Sequence, residues 1–189
     1  ITTIALPLIL LERLGLGAVS VGIAFAISGI TGMVSALYFG RRDSRGLEWQ
    51  MLVVPMLLAA PIYALLLPAA GFAPGGSIDP AVGLALVCVS MALSGLITGP
   101  LDIALFTVRQ RRTDPAWMGR AFAVSMAFNF TGVPVGSALA GVLADVSLPL
   151  TIGIGSLACL AAAAFAATMV PRAEPDAASH ARAAPPAEA

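Results

Sequence analysis

Three polar side chains stand where apolar ones predominate: Asp102 in "GLITGPLDIALF", Asn129 in "MAFNFTGVPVG", and Thr98, four residues before Asp102. A carboxylate at the centre of a lipid-spanning helix costs roughly 2.5 to 3.5 kcal/mol, and less toward the helix ends. Asp102 precedes Arg109 by about two helical turns, inside its apolar run but off the centre. Two readings follow. Asp102 faces an aqueous cavity, pairing with an arginine or carrying a proton, or it lies near enough to the membrane surface to be hydrated or to pair with Arg109. Asn129 in mid-run either lines a polar path or bonds a neighbouring helix, and the second is favoured. Ser90, Ser94 and Thr98 recur at four-residue spacing and so share a helix face, where hydroxyls can bond carbonyls of their own helix.

Other chemistry is missing from the apolar runs. His180, the only histidine, lies in the C-terminal tail, and no Cys–His or Ser–His set or HExxH helix occurs. Cys88 and Cys159 stand alone in apolar runs, where a cysteine behaves as a small hydrophobe. No enzyme, metal site or cofactor is therefore expected.

Elements that hold such groups must tolerate hydrocarbon. Of the 189 residues 59% are hydrophobic and 11% charged, with a mean hydropathy of +0.95. A soluble domain carries about 25% charge, so the class expected is an all-α integral membrane protein with the lipid bilayer as partner. The formal net charge is zero, which leaves no electrostatic footprint for nucleic acid. Because lipid offers the backbone no hydrogen bonds, each crossing needs about 20 apolar residues in a helix. The uncharged runs predict crossings near 18–40, 50–72, 82–108, 121–144 and 148–170. Residues 1–11 read as the end of a truncated helix, cut from something longer, with no basic leader. The bundle domain is thus 1–170. The Ala- and Pro-rich tail 171–189 is expected to be a disordered cytoplasmic extension.

The loops carry the charge. "FGRRDSRGLEW" contains Arg41, Arg42, Asp43, Arg45 and Glu48, and the next loop but one contains Arg109, Arg111, Arg112 and Arg120. The intervening loops contain no basic residue, so arginine marks alternate sides, with Arg13 the exception. Cytoplasmic loops collect Lys and Arg, which puts these loops and the C-terminus in the cytoplasm. Gly132 and Gly136 form GxxxG, Ser137 and Gly141 repeat it, and Gly155, Cys159, Ala163 and Ala167 follow the same spacing. Close helix packing is expected at each. Pro55, Pro61, Pro68, Pro100 and Pro134 predict kinks.

Two stretches resemble the major facilitator superfamily, particularly its bacterial multidrug-efflux type. "LPLILLERLGLGAVSVGIAFAISGITGMVSALYFGRRDSRG" is similar to the end of the seventh helix, the eighth helix and the charged loop after it. "GPLDIALFTVRQRRTDPAWMGRAFAVSMAFNFTGVPVGSALAGVLAD" is similar to the end of the tenth helix, its loop and the eleventh. Gly40, Asp43 and Gly46 look like the frame of the family's Gly-x-x-x-Asp-Arg-x-Gly-Arg-Arg loop, one residue shorter, with Ser44 in an arginine's place and Arg45 beside it. The resemblance implies the C-terminal six-helix bundle of a secondary-active transporter in the cell (inner or plasma) membrane, whose other half is a second six-helix bundle. It implies export of a small molecule in exchange for protons, with Asp102, Asn129 and Thr98 as pathway candidates. Gly40, Arg41, Arg42, Asp43, Arg45, Gly46, Arg109 and Arg120 form its cytoplasmic loops. The alternative is a small non-transporting polytopic membrane protein acting in helix packing or assembly.

Overall fold

Helix boundaries follow local chemistry. The computed structural model describes residues 2–42, 46–73 and 78–170, and among them every regular element is helical. Helix α1 (Thr2–Leu8) runs into a π-helical turn (Ile9–Arg13); α2 (Ala18–Gly40), α3 (Glu48–Ala64) and α4 (Pro80–Arg112) follow. A 3-10 turn (Pro115–Trp117) leads into α5 (Met118–Val146), and α6 (Leu148–Met169) ends the bundle. Asp43 and Arg45 of the loop motif, and the tail 171–189, lie outside the described residues.

The Asp79 carboxylate accepts from the Ala81 amide at 2.8 Å, and Pro80 supplies the first helical position of α4. Ser147 opens α6 likewise, its Oγ accepting from the Leu150 amide at 3.4 Å. Arg109, Arg111 and Arg112 fill the last turn of α4, where cations offset the helix dipole. In the stretch 50–72 the helix gives way at Ala64. Pro68 has no amide to offer the Ala64 carbonyl, so the Leu67 amide donates to it instead at 3.0 Å, and turns continue to Gly71.

Four helices are long and apolar enough to cross a bilayer: α2, α4, α5 with its preceding turn, and α6. The outside is apolar as well, with Phe128 78% and Phe165 67% exposed. Water would not tolerate such a surface, and hydrocarbon does. The molecule is an all-α membrane fold.

α2 packs on α4, α3 on α4 and α6, and α1 on α5. One core, including Leu6, Ile9, Leu66, Val87 and Ile152, joins the start of α2, α4 and α6 to the end of the α3 stretch. The other, with Leu52, Val53, Ala104 and Ala166, joins the start of α3 to the ends of α4 and α6. The helices therefore alternate in direction. Arg41, Arg42, Arg109, Arg111, Arg112 and Arg120 share the second end, whereas Arg13 sits at the first.

Close approach occurs where the glycine spacing was not singled out. A Cβ on Gly95 would meet Thr31 Oγ1 at 2.0 Å and the Ser28 carbonyl at 2.3 Å; one on Gly99 would meet Ser35 Oγ at 2.5 Å and the Ala36 amide at 2.7 Å. By contrast, Gly132, Gly136 and Gly141 have nothing within 4 Å of such an atom. The expected packing at the α5 GxxxG is corrected. Small residues permit approach, but a partner helix must also be there, and residues 127–135 of α5 are exposed on every side.

Candidate functional site

Helix α4 presents Thr98, Asp102, Phe106 and Arg109 at positions four, four and three residues apart, which puts them on one face. The first three are exposed and Arg109 is half-buried. Thr98 donates to the Ser94 carbonyl of its own helix at 2.9 Å, leaving its oxygen outward. The Arg109 guanidinium lies 6.0 Å from the Phe106 ring centroid, and its Nη1 is buried without a hydrogen-bond partner. Asp102 and Arg109 make no ion pair within 4.0 Å, so the reading that joins them is not realised. An unpaired carboxylate on an exposed helix face can take up a proton or balance a cationic ligand.

Asn129 lies on a different helix, in the part of α5 that is exposed all round. Within this chain the helix-bonding role finds no partner among the described residues, and the amide is open to whatever surrounds α5. Phe106 of α4 stacks on Phe122 of α5, centroids 6.1 Å apart and 17° from parallel. Thr98 and Asp102 are thus brought together, and Asn129 is set apart from them by helix rather than joined in one cluster.

The arginine-rich end is built from short local contacts. Gly40 closes α2, Arg41 follows it, and Gly46 adopts φ +78, a conformation that favours glycine. Arg42 donates to the Tyr38 hydroxyl and lies 4.3 Å over that ring; Arg120 lies 5.1 Å over Trp117. With Arg109 on Phe106, these three arginines rest on rings three or four residues earlier in the chain. Glu48, at the start of α3, accepts from Arg111 of α4 at 2.5 Å and ties the two arginine loops together.

Sequence reasoning missed a set of hydroxyls that answer broken helix backbone. Pro100 cannot donate to the Leu96 carbonyl, and Ser35 of α2 donates to it across the helix pair at 2.6 Å. The Leu66 amide turns to the Tyr63 carbonyl, which frees the carbonyl of Ile62, and Ser90 of α4 donates there at 2.8 Å. Ser94 shares a 3.2 Å hydrogen bond with the Tyr63 hydroxyl. Of the Ser90–Ser94–Thr98 row, only Thr98 serves its own helix. The signal was present in Pro100, which orphans the Leu96 carbonyl, but nothing in the spacing says which hydroxyl answers it, and the Ile62 carbonyl is freed by a turn rather than by a proline of its own.

Among the described residues no three His, Cys, Asp or Glu side chains gather as metal ligands. A cavity of about 360 Å³ between α1, α3 and α6 is lined by Ala5, Tyr63, Leu66 and Cys159, and is mostly apolar.

Comparison with known proteins gives three findings. The model of the family described as Major Facilitator Superfamily matches residues 1–188. An uncharacterised MFS-type transporter, y4rN, of Sinorhizobium fredii (strain NBRC 101917 / NGR234) is 32% identical over 159 residues, which is 84% of this chain and 36% of the relative. The chain thus spans about a third of that relative's length. No solved structure matches it.

Proposed function

The chain belongs to the major facilitator superfamily, and from that premise we propose that it forms the C-terminal six-helix half of a secondary-active carrier. The carrier exports a small amphipathic molecule through the cell membrane in exchange for protons. Its partners are the bilayer, the transported molecule and a second six-helix half. The arginine-rich end faces the cytoplasm, because basic loops are retained there. The C-terminus lies on the same side.

The observation that carries this reading is the α4 face: Thr98 and the unpaired Asp102 exposed together in a helix otherwise apolar enough to span lipid. A carboxylate is retained at that depth against a cost of order 1 kcal/mol or more, which function can repay. Asp102 is assigned the proton or the substrate's positive charge, and Thr98 and Asn129 are assigned polar contacts along the path. Gly40, Arg41, Arg42, Asp43, Arg45, Gly46, Arg109 and Arg120 hold the cytoplasmic loops.

The test is proton-coupled transport in everted membrane vesicles carrying the longest reading frame that contains this chain. Addition of a cationic amphipathic substrate is expected to dissipate the imposed pH gradient, and Asp102→Asn to abolish that response while the protein still reaches the membrane. Full coupling in the Asn variant refutes the assignment of Asp102. No gradient-linked movement of any of a broad substrate panel refutes the antiport reading.

A further inference from the structure

Helices α2, α3 and α4 enclose a groove of about 660 Å³ that transport does not use in the reading above. Its floor is apolar, formed by Val34, Val54, Leu58 and Leu96, with Pro55 and Pro100 opening the helices beside it. Ser35 also lines the groove, its hydroxyl bonded to the Leu96 carbonyl, and the other polar lining residues, Tyr38, Arg42 and Gln50, lie toward the arginine-rich end of the bundle. Along α3 the lining runs from residue 47 to residue 58, about 16 Å at 1.5 Å per residue. One leaflet's hydrocarbon is about 15 Å deep, half of ~30 Å.

From this match we infer that the groove is a binding site for one anionic phospholipid of the leaflet at the arginine-rich end. An acyl chain lies along Val34, Val54 and Leu58, and the phosphate meets Arg42. Charge supports the choice of headgroup. Among the described residues no carboxylate pairs with Arg42; the guanidinium is held by the Tyr38 hydroxyl and ring, which aim it without neutralising its charge. Gln50, which lines the same groove, supplies a neutral amide donor for a phosphate or glycerol oxygen. Arg111, by comparison, is already paired with Glu48. The site does not depend on what the carrier moves.

The chain is reconstituted into nanodiscs of equal phosphatidylglycerol and phosphatidylcholine, extracted, and weighed with its retained lipids by native mass spectrometry. Phosphatidylglycerol is expected to be retained in preference. Arg42→Gln is expected to lower that preference about fivefold, the effect of one basic residue at an anionic surface. Arg112→Gln, an exposed charge at the same end but off the groove, is expected to leave it unchanged. Val54→Trp fills the groove and is expected to remove the bound lipid. Equal retention of the two lipids, equal loss in the Arg42 and Arg112 variants, or retention in a folded Val54→Trp chain each overturns the site. If Val54→Trp does not fold, phosphatidylglycerol with a photoreactive acyl chain is cross-linked to the unaltered chain. Labelling confined to α2, α3 and α4 supports the groove, and labelling spread over α5 and α6 overturns it.

Discussion

Ser35 and Ser90 each answer a carbonyl that helical geometry has abandoned, one beside Pro100 and one where α3 breaks into turns. Both are nearly inaccessible, 3% and 0% exposed, so no solvent takes over if the hydroxyl is lost. Interhelical hydrogen bonds inside membranes average about 0.6 kcal/mol and reach about 1.7. Ser35→Ala and Ser90→Ala are expected near the upper end of that range, because each leaves a buried acceptor bare. Thr98→Val, which removes only a bond within its own helix, is expected to cost less than about 0.5 kcal/mol. Unfolding in mixed micelles followed by circular dichroism measures all three, and equal losses across the set contradict this ranking. Glu48→Gln breaks the ion pair to Arg111, which is 30% exposed; with that screening the expected loss is below about 1 kcal/mol. These residue-level roles were only partly legible. Polar types in apolar runs marked Asp102, Asn129 and Thr98 as unusual, yet the sequence carries no sign that Asp102 and Arg109 share a face without pairing, or that Asn129 stands on an exposed stretch of α5.

At the scale of the element, α2 and α4 show how spacing and partnership differ. Gly95-x-x-x-Gly99 and Gly132-x-x-x-Gly136 are the same pattern. On α4 it meets backbone of α2 within 3 Å of a built Cβ, and on α5 it meets nothing. The expected outcomes have opposite sign. Gly95→Ala forces the helix pair apart, since the Ser28 carbonyl and Gly32 amide cannot swing aside as a side chain tip does, and is expected to destabilise by about 1 to 3 kcal/mol. Gly132→Ala in the same chain enters open space and gains helix propensity, and is expected to stabilise by up to about 1 kcal/mol. A thermal-shift comparison of the two purified variants decides it; a loss in both shows that α5 has a partner at Gly132. Proline gives a second lesson. Pro55 and Pro61 lie within α3 and leave it helical, whereas at Pro68 the chain is already in turns that bond three residues back.

For the whole molecule, the alternating helices bring the end of α2, the start of α3 and the end of α4 to one end, and the Glu48–Arg111 pair joins α3 to α4 there. Single cysteines introduced at Arg41 and Arg112 are expected to react with an impermeant thiol reagent from the same side of sealed vesicles, and one at Ser147 from the other. Opposite-side labelling of the first two contradicts the bundle as well as its orientation. Length, hydropathy and the placing of charge by themselves determined that this is a helical membrane protein with arginine at alternate loops, because hydrocarbon excludes charge and demands closed backbone hydrogen bonding. Those demands act on each segment separately, so a single chain displays them in order. Which helices touch was decided only by the tertiary structure: α2 against α4 through Gly95 and Gly99, and α5 standing clear over 127–135. Helix contact depends on surfaces distant in the chain coming together, and an apolar face reads the same whether it meets lipid or another helix.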